Sequence, residues 1–308
     1  MYKDVFEEYG KKLCELGQNN PNVVVVDCDL GQACSTSSFK NAIPDRYINV
    51  GIAEQNAFGV AAGLAESGFI PVVHTFAVFA ALRASEQIRN SIALPKMNVK
   101  IIGARAGITN ALLGATHHSI EDIAVMSAIP NMVVLAPYDC CEIGEAIEEA
   151  VNYKGPVYIR LDRIKSMRVN CGKTVIGKSH LIKDGSDLTL IGVGDQVINC
   201  IEASKTLADL GYSIRVVNLS TIKPIDREII YDSANKTKGI ITVESHNVIG
   251  GAGSEICRIV AEKNPTIVKT IGIKDCFTET GDYDDLLKEY NIDKDTIVSE
   301  ALAILKKC

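Results

Sequence analysis

The stretch NVVVVDCDL, residues 22–30, is an unbroken apolar run that closes on two aspartates. A strand with no polar face must be covered on both sides, which places it in a parallel sheet between two layers of helices. Runs of this kind recur: FIPVVHTF (69–76), NVKIIGAR (98–105), MVVLAP (132–137) and PVYIRL (156–161). Helical patterns alternate with them, namely AEQNAFGVAAGLAESG (53–68), AALRASEQIRNSIAL (80–94), SIEDIAVMSAI (119–129) and DCCEIGEAIEEAV (139–151). Strand and helix in strict alternation predict an α/β fold with a doubly wound sheet.

The rhythm breaks at the polar, basic stretch DRIKSMRVNCGKTVIGKSH (162–180), and then restarts with the strands DLTLIGVG, SIRVVNLS, GIITVES and TIVKTIGI and the helices between them. A chain of 308 residues exceeds one ordinary core. The expectation is therefore two three-layer α/β/α domains, 1–165 and 181–308, joined by a linker over 166–180. In such sheets ligands sit beyond the carboxyl ends of the strands, where Asp27, Asp29, His74, Arg105 and Arg163 are expected.

Composition narrows the function classes. At 47% hydrophobic and 23% charged residues the chain is globular. No apolar run approaches the ~18 uncharged residues of a membrane span. The opening MYKDVFEEYGKKLCEL reads as an amphipathic helix rather than a signal peptide. A net charge of −6 with dispersed Lys and Arg argues against a nucleic-acid footprint. The ten cysteines lack metal-ligand spacing and a secretory context, so they are expected as small core residues of a cytoplasmic protein, with no metal held by this chain.

Several side chains stand out. Glu54 heads a Gly/Ala-rich helix that must pack closely on another backbone. Its carboxylate either sits there because helix amino termini stabilise negative charge, or is buried to hold and pass one proton. His117 and His118, in GATHHSIED, either cap and flank a helix start or transfer protons near neutral pH. Phe76 and Phe79, three apart in a chain with 6% aromatics, are either core or a platform for a heteroaromatic ring. VIGGAGSEI carries part of a dinucleotide fingerprint, but Ile256 stands where its third glycine belongs, so a tight turn before a helix is the better reading.

Taken together, NVGIAEQNAFGVAAGLA, HTFAVFAALRASEQIR, GATHHSIEDIAVMSAIPNMVVLAPYD and VESHNVIGGAGSEI resemble the carboxyl-terminal half of transketolases, in the family's order. The resemblance spans nearly the whole chain and implies a pyrimidine-binding domain followed by the transketolase C-terminal domain. The family's Gly-Asp-Gly motif, which binds thiamine diphosphate through Mg2+, is absent from this sequence. The chain therefore resembles the second subunit of a split transketolase, transferring a two-carbon ketol unit between sugar phosphates. Its expected partner is an N-terminal subunit carrying the diphosphate-binding domain and most of the Mg2+ site, in an α2β2 assembly, and the Gly/Ala helix is a candidate interface.

By the same resemblance Glu54 hydrogen-bonds the cofactor's aminopyrimidine and promotes the imino tautomer that generates the ylide. Phe79 stacks on that ring, Phe76 lines the pocket, and Asp29 belongs to the cofactor site. His117 faces the donor's oxygens, and Arg163 and Arg105 contact the sugar phosphate. One departure bears on the substrate: many transketolases place an Asp where this chain has Leu113, and that Asp holds a hydroxyl of the ketose. Alternatives in the same chemistry are a deoxyxylulose-phosphate-synthase-like or specialised sugar transketolase, or the β subunit of a 2-oxoacid dehydrogenase. From another class, a non-catalytic binding subunit is the alternative.

Overall fold

The structure is a computed structural model that describes residues 3–162, 165–166 and 173–306. Two sheets organise it. The larger has seven strands in the order Thr221–Lys223, Val133–Leu135, Val157–Leu161, Lys100–Ala104, Ile70–Phe76, Val23–Asp27, Tyr47–Asn49. The smaller has five, in the order Ile267–Ile273, Gly239–Asn247, Leu188–Gly192, Ile214–Asn218, His180–Lys183. Within these two sheets every pairing is parallel except those of Thr221–Lys223 and His180–Lys183, each an antiparallel edge strand; Lys3–Asp4 and Lys165–Ser166 form a separate antiparallel pair. The central strands are buried along their whole length, as unbroken apolar runs require.

The amino-terminal amphipathic pattern forms a helix, Val5–Asn19, capped by Asp4 and packed through Phe6, Tyr9 and Leu13. It covers one face of the larger sheet with the helix Cys140–Asn152, while Glu54–Glu66 covers the other. The expected helix over 80–94 is distorted: Phe79–Arg83 and Ile88–Ala93 are π-helical turns flanking a three-residue α-helical piece, Ser85–Gln87.

The division between the two halves is less clean than the rhythm of the sequence implies. The edge strand Thr221–Lys223 crosses over to pair with Val133–Leu135, so the first sheet is completed by the second half of the chain. One apolar cluster runs through both halves, joining Val26, Phe58 and Ile101 to Val193, Val217 and Ile256. Of the expected linker, 167–172 lie outside the described residues, and its last residue, His180, already belongs to a strand. The polar stretch also starts in the core, since Asp162 is buried.

Among the described residues no helix is long and apolar enough to cross a membrane. The described cysteines are all free, and Cys28, Cys34, Cys140 and Cys200 are buried.

Candidate active site

The carboxyl ends of four strands of the larger sheet gather the side chains of interest. Strand Tyr47–Asn49 ends on a turn through Gly51, whose φ of +74° lies in the left-handed region that favours glycine. Asn49 shapes this turn, accepting from the Gly51 N–H at 2.8 Å and donating to Asp29 at 3.0 Å. The chain then enters helix Glu54–Glu66 with no side-chain cap on Ala53, so the Glu54 carboxylate itself sits at the positive end of the helix. Ala57, Phe58 and Ala61 bury one face of that helix and draw Glu54 inward to 3% exposure. Its Oε1 accepts from the Thr75 hydroxyl at 3.3 Å and its Oε2 from Arg83 Nη1 at 2.8 Å.

Next to it lies an aromatic cluster. Phe76 is the last residue of strand Ile70–Phe76, and Phe79 opens the π turn that follows. Their ring centroids are 6.0 Å apart, and the His117 imidazole stands edge-on to both, 6.0 Å from Phe76 and 5.4 Å from Phe79. Two guanidiniums close the cluster. Arg83 lies over the Phe79 ring at 4.2 Å, and Arg105 over Phe76 at 5.4 Å while donating to Asn110 Oδ1 at 3.0 Å. Apolar, π-rich walls beside a buried carboxylate suit a flat heteroaromatic ring with an N–H or ring nitrogen at its edge.

The adjacent histidines have separate fates. His117 is half-buried at the cluster with Nδ1 2.9 Å from the Thr116 hydroxyl. His118 turns inward to the Thr278 hydroxyl, 2.6 Å away in the second half of the chain, and burial holds its pKa below the usual imidazole range. Neither begins a helix, contrary to the expected cap, because the next helix opens only at Asp122.

A cavity of about 420 Å³ opens at the carboxyl ends of strands Val23–Asp27 and Tyr47–Asn49, lined by Asp27, Asp29, Leu30, Lys40, Tyr47 and Asn49. Asp29 is exposed there, with φ +64°. Asp27 is fully buried; its Oδ2 accepts from Leu30 N at 3.0 Å, the Tyr47 hydroxyl lies close to the carboxylate, and burial raises its pKa. His74 corrects an expectation. It lies within its strand rather than beyond it, fully buried and hydrogen-bonded through Nε2 to the Tyr9 hydroxyl. Arg163 lies outside the described residues.

Two side chains at this site escaped sequence reasoning. Thr75 carries no motif. Arg83 had a readable signal, because it follows Phe79 by four residues and so shares its helical face. Leu112 and Leu113 stand exposed on the short 3-10 turn Ala111–Leu113, at the position where an Asp was looked for. The VIGGAGSEI segment is a turn before helix Ala252–Lys263, as expected. Both oxygens of Glu244 accept from its first amides, Ala252 N at 2.8 Å and Gly253 N at 2.9 Å, filling the place a phosphate would take.

Comparison with known proteins gives the family. The family model described as "Transketolase, pyrimidine binding domain" matches residues 3–167, and "Transketolase, C-terminal domain" matches 177–297. A putative transketolase C-terminal section from Methanocaldococcus jannaschii is 42% identical over 100% of this chain and 98% of its own length. A 6-deoxy-6-sulfo-D-fructose transketolase subunit from Clostridium sp. is 37% identical, covering 98% of this chain and 94% of the relative. Among solved structures, a split gene transketolase described as an inactive beta4 tetramer superposes with a TM-score of 0.89 at 42% identity, over 98% of each chain. The chain belongs to the transketolase family, and carries its pyrimidine-binding domain followed by its C-terminal domain.

Proposed function

We propose that this chain is the C-terminal subunit of a split, thiamine-diphosphate-dependent transketolase that moves a two-carbon ketol unit from a ketose phosphate to an aldose phosphate. One observation carries the reading: a buried carboxylate, Glu54, lies near two mutually tilted phenylalanine rings with an imidazole edge-on to both. The residues fit the cofactor's pyrimidine. The Phe79 face matches the ring, and the buried Glu54 carboxylate matches its edge. Thiamine diphosphate, when bound, supplies the electron sink that allows a bond beside a carbonyl to be broken and remade.

We assign the roles of this chain's residues by their resemblance to the family. Glu54 holds a proton at its carboxylate against the ring edge, shielded from water by the helix it opens. Phe79 stacks on the ring face and Phe76 fills the wall behind it, while Asp29 borders the cofactor cavity. The half-buried His117 exchanges a proton with the donor's carbonyl or hydroxyl oxygen. Arg105 and Arg163 hold the sugar phosphate, to which a guanidinium fork is matched. The diphosphate and Mg2+ fall to a partner N-terminal subunit, since this sequence has no Gly-Asp-Gly motif. We place the two modules at 1–165 and 181–308 and the assembly as α2β2.

The donor is best sought among specialised sugars. Leu113 offers no hydrogen bond to a ketose hydroxyl, and the Clostridium relative is a transketolase for a sulfonated sugar. Calorimetry with thiamine diphosphate and Mg2+ tests the whole reading. Binding is expected only when the partner subunit is present, and Glu54→Gln in that complex is expected to lower turnover by about 10²-fold or more. Tight binding to this chain alone, or full turnover of the Glu54→Gln complex, overturns it.

A further inference from the structure

The two contacts assigned to the cofactor's pyrimidine, the face of Phe79 and the carboxylate of Glu54, are both engaged by one side chain of this protein. Arg83 stacks over Phe79 at 4.2 Å, too close for any ring to lie between them. At the same time its Nη1 donates to Glu54 Oε2 at 2.8 Å. A guanidinium is flat, delocalised and edged with N–H donors, so it reproduces both the stacking and the edge hydrogen bond of an aminopyrimidine. We propose that Arg83 is a built-in placeholder, closing the pyrimidine subsite in the free chain and turning out to let thiamine diphosphate in. This rests on the assignment of that subsite above.

Burial makes the exchange one-sided. Glu54 is 3% exposed and cannot leave, whereas the Arg83 side chain is 47% exposed and can swing into solvent without disturbing the core. A carboxylate this deeply placed is costly without a countercharge, and Arg83 provides one as long as no cofactor is present. The backbone supports such a movable side chain. Phe79–Arg83 is a π turn closed by Ala84 N donating to Phe79 O at 3.2 Å, and single π turns of this kind cluster at functional sites. Cofactor binding then includes the cost of displacing an internal competitor, and removal of the competitor tightens it.

The test uses the complex with the partner subunit and reads thiamine diphosphate binding, not turnover. Calorimetry in Mg2+ gives the dissociation constant, and stopped-flow mixing gives the association rate. Arg83→Ala is expected to lower the dissociation constant roughly threefold to tenfold and to speed association. That is the span of a half-exposed ion pair plus one cation–π contact, at tenfold per ~1.4 kcal/mol. Arg83→Lys keeps the charge but loses the flat stack, and is expected to fall between. Weaker binding in Arg83→Ala, or no change, overturns the placeholder. Glu54→Gln made in the Arg83→Ala background, where no competitor remains, separates the two failures: if it leaves affinity unchanged, the subsite assignment itself falls.

Discussion

Glu54 and His74 sit on neighbouring elements and are both buried, yet only Glu54 belongs to the candidate site. Its helix amino terminus and Gly/Ala-rich neighbourhood were readable in the sequence, and so was the imidazole of His117. The orientation of His74 was not, because strand periodicity does not say which faces of a doubly covered sheet reach the ligand side. His74 packs in the core on Tyr9 from helix Val5–Asn19, and burial pulls its pKa from 6.5 down to about 3. Its imidazole is therefore neutral in the folded chain across the physiological range. Below pH 6.5 the unfolded chain takes up a proton that the folded chain refuses until about pH 3, so stability is lost as pH falls through that window. At pH 5 the loss from this group is on the order of 2 kcal/mol relative to pH 7. Urea denaturation at both pH values checks it. His74→Gln is expected to start lower but to lose less on acidification, and an unchanged pH slope in that variant would assign the effect elsewhere.

At the scale of elements, the chain reads well wherever a run is long enough to show its period. The five apolar runs of the first half form strands where their patterns place them, and helices Glu54–Glu66 and Cys140–Asn152 follow theirs, whereas the helix expected from Ser119 opens only at Asp122. The π turns at 79–83 and 88–93 do not show in the sequence, since one added residue per turn leaves composition unchanged. Helix Glu54–Glu66 carries the clearest consequence at this scale. Its inner face buries Ala57, Phe58 and Ala61, while Gly59 and Gly63 face outward, and a Cβ built on either meets nothing within 4 Å. Ile52, just before the helix, is 76% exposed. Glycine inside an exposed helix lowers stability by roughly 0.5–1 kcal/mol relative to alanine, so the chain by itself gains nothing from it. Close approach of a partner backbone is the purpose we propose for it. Gly63→Leu is expected to leave the melting temperature of the isolated chain level or slightly higher, and to weaken association with the partner subunit by more than about tenfold, roughly the 1–3 kcal/mol that overpacking a close contact costs. Sedimentation of the mixture and a thermal melt of the chain alone measure the two sides. Normal assembly of the variant would remove this helix from the interface.

Over the whole molecule, the joint between the two halves was the least legible part of the sequence. A three-residue strand such as Thr221–Lys223 has no period to detect, and its crossing to Val133–Leu135 is a long-range pairing. Arg160 reads as the end of a strand and Asp162 as the start of the polar stretch after it, although the two form the centre of the joint. Arg160 is fully buried. Its Nε donates to Asp122 at 3.1 Å, Nη1 to Asp162 at 3.0 Å, and Nη2 to the Ser245 carbonyl at 2.7 Å in the second half. Asp162 in turn accepts from Asp195 N at 2.9 Å. Burial pushes the Asp162 carboxyl above its ordinary range while the Arg160 guanidinium pulls it back down, so the guanidinium is what keeps several enclosed carboxylates tolerable. Gly194 and Gly107, both at positive φ, leave room for the cluster, since a Cβ would come within 2.2 Å of Asp162 Oδ2 and 2.8 Å of Arg160 Nη2 respectively. Removing one partner from such a site strands buried charge and costs about 3–5 kcal/mol, a large share of the ~5–15 kcal/mol that holds a typical protein folded. Arg160→Met is therefore expected to shift the urea midpoint sharply downward. Lys178→Ala, which breaks the exposed pair with Glu228, is expected to change it by less than about 1 kcal/mol. Arg160→Lys retains the charge but cannot reach three acceptors on separate elements, so it is expected to fall close to Arg160→Met. If it instead matched the wild type, charge alone would account for the joint, and the forked geometry linking the two halves would be incidental.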